Sequence, residues 1–577
     1  MLSGADALVR MLQNAGIGQG FAYPGTSELV LCDSASTLLG PLTNARGDKE
    51  AVLMAAGVNL KAPGSAIAIL HGARGLTNAL GAIADVRRSE ISVLCVVGMA
   101  SRASANYLPP HAEHRLIEHA AAFAGFGIDC SSIVGFDSAS FCSYVNQALD
   151  ALVQMPYGPV LLGVPQDLLS TAFVIPDVAG AVRSIPEGST PNPDRVHTIV
   201  GVLKSAAHPV VLVDDLICRA VDAEKNLGVF SELISAPVLQ VAYRRGPMLF
   251  QRIRKRLVPR YLGQYEPSNA EHRAMISAAD LIVTVEDRNM YPRVIGNLPV
   301  CRTVALTSNR EATLKNGYLR DPDMCLTGDV SDLLRQINQL LHTGSRSSLT
   351  SALSSKLQSH QASADGSAAA VVRAIGRGLS YLSEPIVIDD SQMLGGLIDR
   401  HYHFLPDSVQ IFGSHGGFVG SGPGVGVGVA LSNMDKPVLC LLGDQSFLNG
   451  VQALAVAGDR SAPIVFLICN NGASVSLLKQ ARSENLSIGG EQERLLVNPA
   501  RIDYIGIASG YGLTGTRLFW PLDGNATTLE IAIGKLTEAV AKALTARRPH
   551  VVELVLPGTA EFWHGVWNVG GHELVSN

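Results

Sequence analysis

The sequence Pro437-Val-Leu-Cys-Leu-Leu442 is an apolar run that leads into Gly443-Asp444-Gln445-Ser446, and Ile464-Val-Phe-Leu-Ile-Cys469 leads in the same way into Asn470-Asn471-Gly472. Asp444 and Asn471 are 27 residues apart. This spacing fits one strand–helix–strand unit, with a crossover helix near Gly450–Gly458. Both polar clusters are therefore predicted at the carboxyl ends of parallel strands, where open α/β sheets bind ligands.

The two polar clusters carry groups that suit a cation and a phosphate. The carboxylate of Asp444, the amide oxygen of Asn471 and a nearby backbone carbonyl are hard oxygen ligands of the kind that Mg²⁺ prefers. The glycines allow the backbone to approach phosphates closely. Taken singly, Gly-Asp and Asn-Asn-Gly are ordinary turns at strand ends. Together, at this spacing, they predict a site for Mg²⁺ and a phosphate group.

Similar apolar runs recur along the chain and alternate with helical patterns such as Asp137–Gln154 and Leu529–Ala546. Strands that are apolar on both faces and alternate with helices predict an α/β fold with doubly wound parallel sheets. The other predicted strands are Ala66–Leu70, Val93–Val97, Pro159–Val164, Pro209–Val213, Leu281–Val285 and Ile386–Asp389.

Two changes in composition divide the chain. The Pro-rich segment Ile185–Pro193 can continue neither a helix nor a strand, and a Ser-rich stretch runs from Gly344 to Ser367. We therefore predict three doubly wound parallel-sheet domains at residues 1–185, 190–345 and 370–577, each the size of one α/β domain.

The composition disfavours several classes of protein. With 47% apolar and 16% charged residues the chain is too apolar to be disordered, and a formal charge of −5 provides no basic surface for nucleic acid. The nine cysteines form no CxxC pair, which suits a reducing compartment. No apolar run approaches the roughly 20 residues that span a bilayer, and no cleavable signal sequence is apparent. We expect a cytoplasmic protein with neither nucleic acid nor a membrane as its partner.

The spacing of Gly443-Asp444 and Asn470-Asn471 resembles the diphosphate motif of thiamine diphosphate (ThDP) enzymes. Two N-terminal segments agree with this. Phe21-Ala-Tyr-Pro-Gly-Thr-Ser-Glu-Leu29 resembles the FGxPGSxEL segment of that superfamily, and Leu70-His-Gly-Ala-Arg-Gly-Leu-Thr-Asn-Ala-Leu-Gly-Ala82 resembles the corresponding run of benzoylformate decarboxylases. The resemblance implies pyrimidine-binding, central and diphosphate-binding domains in that order. It also implies a cofactor between the first domain of one subunit and the third of another, hence at least a homodimer, with a homotetramer favoured.

The resemblance further implies which residues hold the cofactor. The side chains of Asp444 and Asn471 and the backbone carbonyl of Ala473 would bind Mg²⁺, and the turn that contains Gly443, Gln445 and Ser446 would contact the diphosphate.

Two more positions of the cofactor site follow from the resemblance. Glu50 lies where the family keeps the glutamate that hydrogen-bonds the aminopyrimidine ring and activates the cofactor. The bulky apolar residue beneath the cofactor is Val419 by an ungapped count from Asp444, or Phe418 if a shift of one residue is allowed.

Residues implied in substrate chemistry cluster in the N-terminal domain. His71 falls on the active-site histidine of benzoylformate decarboxylases, where an imidazole can protonate or stabilise the oxygen of the reacting group. Thr26 stands where those enzymes have a serine that could bind the substrate carboxylate. His111 and His114 fall where related enzymes line the substrate pocket, although an exposed helix start would also explain them.

Three features depart from the family pattern. Gln445 replaces the third glycine of the diphosphate motif, which puts a side chain close to the phosphates. The central domain has no histidine near Arg288–Tyr291 to match that of benzoylformate decarboxylases. The tail Glu561–Asn568 contains two of the three tryptophans and could cover the pocket or pack against a neighbouring subunit.

Two other signals are assigned no ligand. Gly510–Gly515 satisfies GxGxxG but follows a helical run, so it is interpreted as a helix-end turn. A basic cluster in the central domain is interpreted as a solvated face or a subunit contact. Its members are Arg244, Arg245, Arg252, Arg254, Lys255, Arg256 and Arg260.

These patterns together lead to one expected activity and two alternatives. We expect a ThDP- and Mg²⁺-dependent enzyme that decarboxylates a small-molecule 2-oxo acid. The product would then be protonated to an aldehyde or transferred to an aldehyde or ketone acceptor. One alternative is a carboligase of the acetolactate synthase type that releases no aldehyde. The other is a noncatalytic regulatory subunit with the same fold, which would bind no ThDP.

Overall fold

Three six-stranded parallel sheets, each flanked by helices, make up the fold. The computed structural model describes residues 2–40, 42–104, 106–173, 192–241, 246–290, 292–342, 366–486, 489, 493–498, 502–521, 525–559 and 562–566. The first and third sheets belong to one compact unit, and the second sheet belongs to another. The predicted fold class is confirmed, whereas the domain limits 1–185, 190–345 and 370–577 remain predictions.

The first sheet is buried on both of its faces. In β4, Ile67 and Ile69 pack into one hydrophobic cluster, whereas Ala68 and Leu70 pack into the cluster on the opposite face. The strands are β1 (Leu2–Ser3), β2 (Gln19–Ala22), β3 (Thr43–Asn44), β4 (Ala66–His71), β5 (Val93–Met99), β6 (Phe126–Asp129), β7 (Pro159–Pro165) and β8 (Ala172–Phe173). The sheet order is β3-β2-β4-β5-β7-β6, and β1 pairs with β8 in a separate antiparallel ribbon. The helices are α1 (Gly4–Asn14), α2 (Leu29–Leu38), α3 (Asp48–Asn59), α4 (Gly72–Arg88), α5 (Leu116–Ala124), α6 (Ser138–Val153) and α7 (Gln166–Ser170).

The second sheet is also buried on both faces, between two hydrophobic clusters. Its strands are β9 (Pro209–Val213), β10 (Val238–Val241), β11 (Tyr261–Tyr265), β12 (Leu281–Val285), β13 (Arg302–Thr307) and β14 (Cys325–Thr327). Their order is β11-β10-β9-β12-β13-β14, so the direction of winding reverses between β9 and β12. The helices are α8 (Pro193–Ser205), α9 (Ala223–Leu233), α10 (Ala270–Ser277), α11 (Pro292–Ile295), α12 (Arg310–Lys315) and α13 (Val330–His342).

The third sheet carries the strand–helix–strand unit from which the fold was predicted. Its strands are β15 (Ile386–Asp390), β16 (Gln410–Gly413), β17 (Val438–Gly443), β18 (Ile464–Asn470), β19 (Thr514–Phe519) and β20 (His550–Val555), in the order β16-β15-β17-β18-β20-β19. The helices are α14 (Ser367–Ser380), α15 (Met393–Arg400), α16 (Ser421–Ser432), α17 (Asp444–Asn449), α18 (Gln452–Asp459), α19 (Val475–Ser483), α20 (Tyr504–Gly510) and α21 (Ala526–Thr545). The crossover between β17 and β18 is therefore two short helices, where one was predicted.

Glycines set the close crossing of α3 and α16, which joins the first and third sheets. A Cβ on Gly57 would lie 2.2 Å from the carbonyl oxygen of Val425, and one on Gly428 would lie 2.0 Å from that of Met54. No side chain fits between the two backbones at these points. The crossing fixes the start of α3, which carries Glu50, relative to the loop that precedes α16.

The predicted strands agree closely with the structure. Each of the eight predicted strands is present, with ends within one or two residues of those expected. The GxGxxG sequence spans the end of α20 and a turn at Gly512, whose φ of +81° lies in the left-handed region that favours glycine. All nine cysteines are free thiols, and no helix among the described residues is long and apolar enough to cross a membrane.

Candidate active site

The carboxyl end of β4 carries the histidine that the sequence singled out. β4 ends at His71, whose side chain is 22% exposed. Gly72 opens α4 with a φ of +36°, and a Cβ there would lie 2.9 Å from the carbonyl oxygen of His111, which accepts a hydrogen bond from the N–H of Ala73. This close approach brings the ring centroids of His71 and His111 to 5.2 Å. His114 lies exposed farther along the same loop.

A buried carboxylate that the sequence interpretation did not single out lies against His71. The Glu28 side chain is fully buried, and its Oε2 lies 3.0 Å from Nδ1 of His71. The same oxygen accepts a 2.7 Å hydrogen bond from Ser27 Oγ, and Oε1 accepts one from the N–H of Gly25. Because an ionised carboxylate only accepts hydrogen bonds, this contact favours a proton on Nδ1 of His71 and leaves Nε2 for other partners.

Thr26 lies beside this network without joining it. The residue is exposed, and its backbone carbonyl accepts a 3.3 Å hydrogen bond from Nε2 of Gln166. Its role toward a substrate carboxylate stays a prediction.

The start of α3 holds two buried carboxylates. Asp48 Oδ1 accepts a 3.1 Å hydrogen bond from the N–H of His71, which ties the helix to the end of β4. Burial raises the pKa of Asp48, and the nearby carboxylate of Glu28 adds to this effect. Glu50 is 2% exposed, and its Oε1 accepts no hydrogen bond from the described residues, although Nζ of Lys49 lies 3.1 Å away. Such an oxygen fits a donor on a bound ligand, and the role of Glu50 toward the cofactor stays a prediction.

A second buried carboxylate oxygen without a hydrogen bond lies at the edge of the third sheet. Asp444 opens α17 and is 5% exposed; its Oδ1 accepts a 2.8 Å hydrogen bond from the N–H of Gln445, and its Oδ2 accepts none from the described part of the chain. Burial raises the pKa of Asp444, an effect that the nearby side chain of Asn498 and backbone N–H groups, including that of Asn471, oppose. The loops after β17 and β18 therefore meet, as predicted.

The loop after β18 is folded back on itself. Asn471 Oδ1 accepts a 3.3 Å hydrogen bond from the N–H of Ala473, and Ala473 forms an antiparallel bridge with Val497. Backbone N–H groups of this loop, those of Asn471 and Gly472, interact with the carboxylate of Asp444. The carboxylate of Asp444 and the amide oxygen of Asn471 are of the kind that Mg²⁺ prefers, provided that the amide of Asn471 exchanges its bond to Ala473 for the ion. Metal binding here stays a prediction.

Ser446 contacts Asp390, a buried aspartate that directly follows the predicted strand Ile386–Asp389 and was given no role in the sequence analysis. Asp390 Oδ1 accepts a 3.1 Å hydrogen bond from Ser446 Oγ, and Oδ2 accepts 2.9 Å hydrogen bonds from the N–H groups of Gly420 and Gly422. Burial raises the pKa of Asp390 to about 7 and that of the neighbouring Asp389 to about 6. Asp390 therefore ties the turn that contains Ser446 to the start of α16.

The two candidates for the residue beneath the cofactor lie in the loop that Asp390 holds. Phe418 packs against α4 so closely that a Cβ on Gly81 would lie 2.7 Å from its ring. Val419 is half-buried, and its carbonyl oxygen accepts a 3.5 Å hydrogen bond from Nδ2 of Asn449. The packing of Phe418 into its own chain favours Val419 for the predicted role.

In the central unit, polar side chains at the strand ends bond to other residues of the same unit. At the reversal point, Asp214 Oδ2 accepts hydrogen bonds from the backbone and side-chain nitrogens of Asn289, at 3.0 and 2.9 Å. Arg288 pairs with Glu286 at 2.7 Å, and Tyr291 lies outside the described residues. Of the basic cluster, Arg254 pairs with Glu224, while Arg244 and Arg245 lie outside the described residues.

The aromatic tail packs within its own chain. Trp563 is fully buried, and its Nε1 donates a 2.7 Å hydrogen bond to the carbonyl oxygen of Pro557. Arg400 donates to the carbonyl oxygen of Gly565 at 2.6 Å. Glu561 and residues 567–577 lie outside the described residues.

Both the sequence and the fold match enzymes that bind thiamine diphosphate. Residues 2–122 match the family model for the N-terminal TPP binding domain of thiamine pyrophosphate enzymes, and residues 394–554 match the model for the C-terminal TPP binding domain. The first region contains Glu50 and His71, and the second contains Asp444 and Asn471. The chain belongs to the thiamine diphosphate-dependent enzyme superfamily, which confirms the resemblance seen in the sequence.

Individual relatives extend the match over nearly the whole chain. The acetolactate synthase isozyme 1 large subunit of Escherichia coli (strain K12) is 22% identical over 97% of this chain and 96% of its own length. The thiamine diphosphate-dependent 4-hydroxybenzoylformate decarboxylase of Rhodococcus jostii RHA1 superimposes with a TM-score of 0.76 at 20% identity, covering 96% of this chain and 99% of that one. Benzoylformate decarboxylase from Polynucleobacter necessarius gives a TM-score of 0.73 at 17% identity, with 97% and 99% covered.

Proposed function

We propose that this protein uses ThDP and Mg²⁺ to decarboxylate a 2-oxo acid, and that the product is protonated to an aldehyde or transferred to an acceptor carbonyl. The observation that carries this proposal is the arrangement around His71. An imidazole stands at the end of β4, held on one side by the buried Glu28 and 5.2 Å from the ring of His111. A pair of imidazoles at a strand end suits proton transfer to a substrate oxygen or carbon.

The residues present fit the cofactor. ThDP, when bound, supplies an electron sink that allows a 2-oxo acid to lose CO₂. Glu50 Oε1 and Asp444 Oδ2 are buried oxygens that accept no hydrogen bond from the described residues. Each would gain a partner: Glu50 a donor on the pyrimidine ring, and Asp444 the Mg²⁺ that binds the diphosphate.

The chain's own groups would then act on the substrate. Because Glu28 holds the Nδ1 proton of His71, Nε2 carries the lone pair and is the atom that would take up a proton from solvent and pass it to the substrate oxygen or to the decarboxylated product. His111 would support the same transfer from the neighbouring loop. Asp48 keeps His71 and Glu50 in fixed relation through its bond to the N–H of His71.

The carboligase alternative rests on the sequence relatives, which include acetolactate synthase large subunits. The noncatalytic alternative rests on Gln445 alone. Asp444 Oδ2 argues against it, because burying a carboxylate oxygen that accepts no hydrogen bond from the described residues is costly unless a ligand uses it. Glu50 Oε1 also accepts no hydrogen bond from these residues, although the ammonium of Lys49 lies beside it.

Product analysis on the full chain tests the proposal. The protein would be incubated with ThDP, Mg²⁺ and a panel of aliphatic and aromatic 2-oxo acids, with and without an added aldehyde, while CO₂, aldehyde and acyloin are quantified. We expect CO₂ release that requires ThDP, with an aldehyde product when no acceptor is added. Acyloin without free aldehyde would favour the carboligase. If no 2-oxo acid releases CO₂ and calorimetry detects no ThDP binding, the noncatalytic alternative stands.

A variant of His71 tests, in the same assay, whether this residue takes part in proton transfer. His71→Ala is expected to lower turnover by about 10²–10⁴-fold, the usual contribution of a general acid or base, while ThDP affinity stays near that of the wild type. Turnover within about threefold of the wild type would contradict the role of His71 and favour the carboligase.

A further inference from the structure

Gln445 occupies the third position of the diphosphate motif, where the superfamily pattern has glycine, and its side chain bridges two other parts of the chain. Nε2 donates a 2.8 Å hydrogen bond to Ser474 Oγ and a 3.2 Å hydrogen bond to Asn498 Oδ1. An amide nitrogen has two hydrogens, and both are used within the protein. The side chain therefore has no Nε2 hydrogen left for a phosphate in this arrangement, and its closeness to the phosphates stays a prediction.

The two acceptors belong to segments that themselves face each other. The N–H of Ser474 donates to the carbonyl oxygen of Leu496 at 2.7 Å, and the N–H of Asn498 donates to the carbonyl oxygen of Gly472 at 2.9 Å. Gln445 thus joins three segments: the start of α17, the loop after β18 and residues 496–498.

The Ser474 hydroxyl can accept a hydrogen bond from Gln445 because it does not cap its own helix. Ser474 is the N-cap residue of α19, but its side chain makes no capping hydrogen bond to that helix. Its Oγ instead accepts from Gln445. A hydroxyl that gives up the usual cap in favour of a contact to another loop indicates that this contact sets the loop position.

We propose that Gln445 is a positioning residue that holds the loops after β17 and β18 in their binding arrangement before the diphosphate arrives. The proposal rests on the proposed ThDP site. Glycine at this position would leave the loops to be ordered on binding, at a cost in affinity, whereas a loop that is already fixed avoids that cost. The amide is also neutral, so it fixes the loops without repelling a diphosphate.

The test uses the full chain freed of cofactor and carries two measurements. The first is hydrogen exchange at the amides of Ser474 and Asn498, which reports the loops without any cofactor. The second is ThDP affinity at millimolar Mg²⁺, measured by calorimetry. The variants are Gln445→Ala and Gln445→Gly, with Gln480→Ala as the matched control, because the Gln480 side chain makes an exposed hydrogen bond to Glu484, away from the Gln445 contacts.

We expect both Gln445 variants to speed exchange at the two amides and to weaken ThDP binding by about tenfold, as expected for the loss of two hydrogen bonds, and Gln480→Ala to do neither. Ser474→Ala should weaken binding in the wild type and add little in the Gln445→Ala background, because the same bond is already lost. Unchanged exchange in Gln445→Ala, or ThDP affinity equal to or tighter than wild type, would overturn the proposal. If the wild type itself binds no ThDP, the proposed cofactor fails, while the exchange measurement still decides whether Gln445 holds the loops.

Discussion

At the scale of single residues, the candidate site depends on contacts between groups far apart in the sequence. Glu28 and His71 are 43 residues apart, and their contact arises because β2 and β4 are neighbours in the first sheet. The hydrogen bonds around Glu28 also fix its orientation, since Oε1 is needed by the N–H of Gly25. The N–H of Gly25 therefore helps to set the orientation of His71, because it holds Glu28, which in turn contacts Nδ1 of His71.

This arrangement predicts a defined effect of Glu28→Gln. The glutamine oxygen should stay on the N–H of Gly25, which can only donate, so its NH₂ group would face Nδ1 of His71. The imidazole would then be forced into the tautomer with its proton on Nε2 and could no longer accept a proton there. We expect turnover to fall by about 10²–10⁴-fold with ThDP affinity retained. Nitrogen-15 NMR of labelled histidine would report the change of tautomer.

Glu113→Gln is the matched control for that variant. Glu113 is 52% exposed and pairs with Arg74 on the surface of the same domain. It should leave both the histidine spectrum and turnover near those of the wild type. A Glu28→Gln variant with wild-type turnover and an unchanged His71 tautomer would show that Glu28 does not orient the ring.

At the scale of elements, Asp390 joins the end of β15, the start of α16 and the start of α17. It does so through its bonds to Gly420, Gly422 and Ser446. Burial raises its pKa to about 7. An asparagine could make the same contacts, with its oxygen accepting from the two backbone N–H groups and its NH₂ donating to Ser446 Oγ.

The raised pKa of Asp390 makes a prediction about stability and pH. The carboxyl keeps its proton in the folded chain up to about pH 7, whereas the unfolded chain releases it near pH 4, so the unfolded state binds fewer protons between these values. Stability contributed by this group is therefore highest at low pH and is lost as the pH rises through this window. Asp390→Asn cannot ionise. Its free energy of unfolding relative to wild type should increase between pH 5 and pH 8 by on the order of 2 kcal/mol.

Chemical denaturation of the cofactor-free protein at the two pH values measures this difference. Asp435→Asn, a change at an exposed aspartate, should show no such trend. A constant difference between Asp390→Asn and wild type from pH 5 to pH 8 would mean that Asp390 does not retain its proton in the folded state.

At the scale of the whole molecule, the sequence was enough to predict the three parallel sheets and the edge at which Asp444 and Asn471 meet. Strands that are apolar on both faces are visible as continuous runs, and the βαβ spacing fixes which ends coincide. The roles of Glu28 and Asp390 could not be predicted in this way. A carboxylate buried against one imidazole or two backbone N–H groups has the same local sequence as an exposed one, and only the packing of distant strands distinguishes the two.

Exposed apolar side chains lie near both halves of the candidate site. Next to Glu28, Leu29 is 59% exposed and Tyr23 is 48% exposed. Beside the diphosphate loops, Leu495 is 82% exposed and Val497 is 44% exposed. Apolar groups grouped at a functional edge are typical of surfaces that another protein covers. They support the proposal that the working protein is at least a homodimer, with each cofactor site shared between two chains.

A mixing experiment with two inactive variants tests this shared site. Glu50→Gln and Asp444→Ala should each abolish activity, the first by removing the group that activates the cofactor and the second by removing a Mg²⁺ ligand. If Glu50 of one chain works with Asp444 of another, a dimer of the two variants contains one site with both substitutions and one site with neither. Mixed dimers isolated through two different affinity tags should then regain about half of the wild-type activity per dimer. If each chain built its own site, every site would carry one substitution, and the mixed dimers would stay as inactive as either parent.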